Sequence, residues 1–138
     1  MKGWMIMKTH VFRLTYGADL KRSLEEYIKM HHIDAGYVAC CVGCVYEAGL
    51  RLADGKTLFH DENRYEIVSL TGTLSKDGVH LHISLSGEDG HTIGGHLMEG
   101  TLINTTAEII LHELDEFEFA REFDEKTGYD EIVMKAKH

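Results

Sequence analysis

The sequence predicts an α+β fold, in which a mostly antiparallel sheet packs with one main helix. One segment repeats apolar residues at a helical spacing, at Leu20, Leu24 and Ile28. Elsewhere, short apolar or alternating segments are separated by turn residues, and strands joined by tight turns pair antiparallel. One helix among several strands in hairpin order is typical of α+β proteins.

A single domain over residues 1–138 suits this fold, because a chain of this length with 43% hydrophobic content can bury one core. No apolar run approaches the roughly 18 residues that a membrane span requires. The first ten residues become polar too soon for a signal peptide, and three closely spaced cysteines indicate reduced thiols. We therefore expect a soluble, cytoplasmic protein.

The helix is expected to begin after Asp19 and to end before Gly36. The Asp19 carboxylate can accept a hydrogen bond from a backbone N–H of the first turn, which is the role of an N-cap. Apolar residues then recur every four positions, so one face of the helix should be buried.

Five segments are predicted to form strands. Gly36–Tyr46 is an almost continuous run of small apolar residues, which is typical of a strand buried on both faces. Val79–Ser86 alternates instead, so only one of its faces should be buried. Three phenylalanines among the acids after residue 115 indicate a tail that packs back on the domain. The predicted strands are Met5–Leu14, Gly36–Tyr46, Tyr65–Ser75, Val79–Ser86 and Ala107–Leu114.

Three histidines form the sharpest candidate site. His80 and His82 lie at positions i and i+2 of the alternating strand, so both imidazoles project from one face and can reach one ion at about 2.0–2.1 Å. Gly94-Gly95-His96 would bring a third imidazole close through a glycine turn, leaving one coordination position open. The alternative interpretation is a set of polar residues on a solvated face. His91, in the preceding loop, is a competing ligand.

The cysteines invite a zinc or redox interpretation through Cys41-x-x-Cys44. A structural zinc site of this kind needs a second pair of ligands, and the chain has no cysteine besides Cys40, Cys41 and Cys44. Positions i and i+3 of a strand also face opposite ways. We therefore expect three small, buried, reduced side chains.

Three carboxylates could act as a general base beside a metal: Glu66, Glu99 and Glu108. Nothing in the pattern selects one of them. The sequence lacks G-x-S-x-G, Walker and G-x-G-x-x-G motifs, so acyl transfer, nucleotide hydrolysis and dinucleotide binding have no motif support.

The charge distribution argues against tight DNA binding. The formal net charge is -9, and the segment from Glu99 to Glu131 holds eleven acidic residues against two basic ones. A duplex-binding surface needs clustered Lys and Arg to displace counterions from phosphate. Only the first thirty residues hold more basic than acidic side chains, so DNA binding by this chain alone should be weak.

Four sets of residues together resemble the plant- and prokaryote-conserved (PPC) domain family. Arg64–Gly72 is similar to the family's R-F-E-I-L-S-L-S-G strand. The other matching residues are Arg13-Leu14 with Gly17 and the helix, His80–Leu85 with Gly94–Leu97, and Thr106–Ile109 with Arg121–Asp124. The resemblance covers nearly the whole chain, and the sequence is identified as a single-domain archaeal or bacterial member.

The resemblance implies an antiparallel sheet of about seven strands beside one helix, and a homotrimer. It also implies a metal, by default zinc, bound by His80, His82 and His96. The family label is that of a DNA-binding protein, which in plants depends largely on an AT-hook of the R-G-R-P type. This chain has no proline and no such element.

Three functions remain open. The first is a non-enzymatic interaction module associated with DNA or with transcription partners. The second is a metal-dependent enzyme that acts on an unknown small substrate through a zinc-bound water. The third is a protein that senses or stores metal. The sequence does not decide whether the protein is an enzyme.

Overall fold

The computed structural model describes residues 7–138, so the predicted strand positions Met5 and Ile6 lie outside the described residues. One helix and nine strands follow one another along the described chain. Their bounds are β1 Lys8–Thr15, α1 Leu20–Met30, β2 Ala35–Arg51, β3 Leu58–Asp61, β4 Tyr65–Ser75, β5 Gly78–Gly87, β6 Thr92–Leu97, β7 Leu102–Glu113, β8 Phe117–Asp124 and β9 Tyr129–Ala136.

Seven of the strands form one antiparallel sheet. Its order is β1-β7-β2-β4-β5-β6, and β3 adds to β2. The far end of β2 also pairs with β6, so the strands β2, β4, β5 and β6 close a ring of pairings. The α+β fold with a mostly antiparallel sheet of seven strands is therefore confirmed, and β8 and β9 form a small second sheet.

The helix covers the inner face of the sheet, which we define as the face carrying the core residues. Leu20, Leu24 and Ile28 are all buried in that core, as their spacing predicted. Asp19 is the N-cap: its carboxylate accepts from the Arg22 backbone N–H at 3.0 Å. The second oxygen of the same carboxylate accepts from the Gly100 N–H at 2.7 Å, which fixes the start of the helix to the loop before β7.

Strand β2 is not buried on both faces, contrary to the prediction from its composition. Cys41 and Val45 point into the core, whereas Cys40 and Val42 are exposed on the outer face, the side away from the helix. The expectation that all three cysteines are buried is wrong for the same reason, since no element covers the outer face of β2 among the described residues. Cys41 and Cys44 do lie on opposite faces, and all three thiols are free.

The tail packs back on the domain as the β8–β9 hairpin. Phe119 is buried, and its backbone N–H donates to the Asp34 carbonyl at 3.0 Å. The Arg121 backbone N–H donates to the Asp77 carboxylate at 3.0 Å. These contacts hold β8 beside the β4–β5 turn. No helix in the described part of the chain is long and apolar enough to cross a membrane.

Candidate metal centre

The alternation of β5 separates the core residues from the candidate ligands. Leu81, Ile83 and Leu85 are buried beneath the sheet, while His80 and His82 are exposed on its outer face. The ring centroids of the two histidines are 5.0 Å apart. This arrangement follows from the two-residue period of a strand.

His96 joins them through the register of the neighbouring strand. It lies directly opposite His82 in the β5–β6 pairing, and its ring centroid is 5.3 Å from that of His80 and 5.7 Å from that of His82. Each imidazole offers one nitrogen, and these nitrogens all lie within 4.8 Å of one another. The structure thus brings the three predicted residues into one cluster.

Gly94 and Gly95 lie within β6, so the glycine turn predicted before His96 is wrong. The close backbone approach expected of these glycines is nevertheless present. A Cβ on Gly95 would stand 2.8 Å from the Arg51 carbonyl oxygen, and one on Gly94 would stand 2.8 Å from the Ile83 carbonyl oxygen. The two glycines allow β6 to pack closely against both β2 and β5, and this packing places His96 beside the β5 histidines.

The surroundings of His80 and His96 favour the neutral form of both imidazoles. Burial, reinforced by the nearby charge of Arg51, lowers the pKa of His96 to about 4. Burial, followed by the neighbouring His82, lowers the pKa of His80 below its ordinary value. A neutral imidazole keeps the lone pair that a metal requires.

The donor set suits a transition metal of borderline softness. Three imidazoles and an open fourth position are a common ligand set of zinc, with bonds of about 2.0–2.1 Å. Two nitrogens bound to one tetrahedral ion lie about 3.3–3.4 Å apart at such bond lengths. The nitrogens here lie within 4.8 Å of one another, and the side chains of His80 and His82 are exposed, so they can rotate to reach the shorter spacing. Nδ1 of His96 is buried and has no hydrogen-bond partner in the described chain, so that ring has a nitrogen that no protein group satisfies.

A cavity of about 340 Å³ opens beside the cluster, and His80 and His96 form part of its wall. It is rich in charge, with two guanidinium groups and three carboxylates. Its other lining residues are Arg51, Asp77, Gly78, Val79, Arg121, Tyr129, Asp130 and Glu131.

The other predicted candidates lie elsewhere. Glu99 pairs with Arg22 at 3.2 Å, and Glu66 and Glu108 are exposed on the outer face away from the cavity lining. His91 lies in the exposed turn before β6 and does not belong to the cluster.

Sequence reasoning missed the cavity residues Arg51, Arg121 and Glu131. Arg51 lies directly opposite His96 in the β2–β6 pairing, and Arg121 belongs to the hairpin. Both positions depend on long-range contacts, so no local pattern in the sequence identifies them.

A second group of metal-ligating side chains lies at the β2–β3 pairing. Glu47, His60 and Glu62 each place one ligand atom within 4.8 Å of the others, and His60 Nε2 is 3.2 Å from the Glu47 carboxylate. His60 and Glu62 are exposed, so solvent competes for these atoms.

The fold and the site together define a small α+β protein with a three-histidine cluster on the outer face of its sheet. The chain belongs to the Plants and Prokaryotes Conserved domain family, whose model matches residues 1–115. The resemblance seen in the sequence is therefore confirmed.

Among curated proteins, the chain is similar to a bifunctional protein GlmU of Synechococcus sp. (strain JA-3-3Ab). The two are 43% identical over 129 residues, which make up 94% of this chain and 21% of that protein. The chain thus spans about a fifth of the length of the curated relatives that it matches.

Solved structures share the fold over nearly the whole chain. A hypothetical protein from Salmonella enterica superposes with a TM-score of 0.92 at 29% identity, covering 99% of both chains. A metal-containing protein from Archaeoglobus fulgidus gives 0.76 at 31% identity, covering 96% of this chain and 99% of that one. A "putative DNA binding protein" from Bacteroides thetaiotaomicron gives 0.79 at 20% identity, covering 96% and 98%, and shows the fold alone.

Proposed function

We propose that the protein binds one transition metal ion per chain, zinc by default, through His80, His82 and His96. The observation that carries this proposal is the convergence of three imidazole nitrogens within 4.8 Å on one sheet face. The metal-containing relative from Archaeoglobus fulgidus, which shares the fold at 31% identity, supports it.

Elemental analysis of the purified protein tests the proposal. We expect about one zinc per chain, and loss of the metal in His80→Ala and His82→Ala, because removing one of three nitrogens breaks so small a site. His91→Ala is the matched control, since it removes an exposed histidine outside the cluster and should leave the metal in place. Full occupancy in the double variant His80→Ala/His82→Ala would refute the proposal.

A metal-dependent enzyme is the second candidate function, and the cavity favours it. A zinc ion held by the histidines would supply Lewis acidity beside the cavity wall. Asp130 and Glu131 line the same cavity and could accept or hold a proton there, and Tyr129 could cover a bound molecule. A Glu131→Gln variant that keeps its zinc but loses turnover of a small ester or phosphoester would support an enzyme.

For DNA, we propose weak and unselective contact by this chain, in keeping with a cytoplasmic interaction module. A net charge of -9 opposes phosphate binding, because the 23 acidic residues outnumber the 14 Lys and Arg. Fluorescence anisotropy with a labelled duplex should give a dissociation constant above about 1 μM at physiological salt, as for other non-specific binding. Sub-micromolar, sequence-selective binding would contradict this and make DNA recognition the main function.

A further inference from the structure

We propose that the cavity beside the histidines is a subsite for a small oxyanion, a carboxylate or a phosphate, held by Arg51 and Arg121. The inference deepens the proposed function, because it assigns a ligand class to the cavity next to the proposed metal. Its evidence is separate, since it comes from the two arginines and not from the histidines.

Both arginines carry buried N–H groups that the protein leaves unused. Nε of Arg51 and one terminal Nη of Arg121 are buried and have no hydrogen-bond partner among residues 7–138. Buried polar groups in proteins nearly always have partners, and an unsatisfied charged donor is the costlier kind. The two residues that carry these donors both line the cavity, so their guanidinium groups are the cationic groups available to a ligand there.

The two guanidinium groups reach the cavity from different elements. Arg51 lies at the end of β2, directly opposite His96. Arg121 comes from β8, and its backbone N–H is held by the Asp77 carboxylate at 3.0 Å. Neither arginine forms a salt bridge within 4.0 Å in the described chain. A planar fork of donors that no carboxylate occupies is the arrangement that binds oxyanions.

The charge around the cavity links the anion to the metal. Asp77, Asp130 and Glu131 also line the cavity, so its carboxylates outnumber its guanidinium groups. A divalent ion on His80 and His96 would reverse that balance and make the cavity net positive. We therefore expect the anion to bind more tightly to the metal-loaded protein than to the metal-free protein.

The size of the cavity restricts the ligand. A volume of about 340 Å³ lies at the lower end of the range for small-molecule sites. It suits a metabolite-sized acid.

Isothermal titration of the zinc-loaded protein with inorganic phosphate, and separately with acetate, tests the proposal. We expect at least one of the two to bind, and the one that binds identifies the source of the oxyanion. Arg51→Gln and Arg121→Gln should each weaken that binding at least tenfold while elemental analysis shows unchanged zinc. Arg64→Gln is the control, because it removes an exposed arginine outside this cavity and should change nothing.

Arg51→Lys tests whether a loss of binding reflects misfolding. This variant keeps the positive charge but lacks the planar guanidinium, so a folded protein should bind the anion with intermediate affinity. Equal affinity in the wild type and both glutamine variants would overturn the proposal and place the anion on the metal alone. Failure of both anions to bind the zinc-loaded protein would also overturn it. If the protein holds no metal, the metal proposal fails, yet arginine-dependent anion binding would still support the subsite and its absence would refute it.

Discussion

At the scale of single residues, His96 differs from the other two histidines in its surroundings. It is half-buried between β2 and β5, whereas His80 and His82 are exposed. Burial and the charge of Arg51 lower the pKa of His96 to about 4, far below the 6.5 of a free histidine. At neutral pH, protons therefore compete little for the nitrogens of this candidate ligand.

The lowered pKa of His96 makes the stability of the metal-free protein depend on pH. Between about pH 6.5 and pH 4 the unfolded chain binds a proton at this residue that the folded chain does not bind, so the free energy of unfolding should fall as the pH falls through that window. In urea titrations with a chelator, His96→Gln should show a shallower fall than the wild type. His91→Gln should behave as the wild type does, and identical slopes in all three proteins would contradict the argument.

The sequence could place the two candidate ligands of β5 on one face because strand alternation is a local rule. His80 and His82 follow from the period of two, and His96 was found as a nearby histidine after two glycines. The two cavity arginines could not be predicted from the sequence, because positions 51 and 121 come together only through the β2–β6 pairing and the packing of the hairpin. No local pattern encodes either contact.

At the scale of elements, the packing of β6 requires glycine at positions 94 and 95. An alanine at position 95 would place its Cβ 2.8 Å from the Arg51 carbonyl oxygen, and a backbone atom cannot move aside cheaply. We expect Gly95→Ala to lower the free energy of unfolding by about 1–3 kcal/mol, as overpacking does, and to weaken metal binding by displacing His96.

Gly87→Ala is the matched control for that substitution. The nearest atom to its added Cβ would be a ring carbon of Tyr65 at 3.5 Å, an ordinary contact. Urea unfolding and zinc content should both stay near those of the wild type. Equal damage from the two substitutions would show that the close approach at position 95 does not explain the loss.

Strand and helix assignments succeeded where the pattern was regular. The segment Tyr65–Ser75 was predicted with its exact bounds, and Asp19 was correctly placed at the N-cap. Besides the supposed glycine turn, which is part of β6, the error lay in β2, where small residues can pack against a core or lie exposed equally well. Their composition does not reveal that the helix covers only one face of the sheet.

At the scale of the whole molecule, the outer face of the sheet carries exposed apolar side chains that could contact other copies of the chain. Val11, Val42 and Val68 are each more than half exposed, and Val11 and Cys40 both pair with Ile110, so these last three side chains are neighbours. Contiguous exposed apolar surface is typical of protein interfaces. We propose that this face forms the homotrimer that the family resemblance implies.

Light scattering should give a mass about three times the 15.6 kDa of the chain. Val42→Glu should lower the mass to that of a monomer, because a carboxylate would be buried without a partner. Leu58→Glu changes an exposed residue of β3 and should leave the trimer intact. A monomeric wild type at working concentration would refute the assembly.

The wall of the cavity is built partly by the main sheet and partly by the β8–β9 hairpin. The histidines and Arg51 lie within the residues that match the family model, whereas Arg121, Tyr129, Asp130 and Glu131 come after residue 115, where that match ends. Substitutions confined to the hairpin can therefore change the wall of the cavity while the strands that carry the three histidines stay the same.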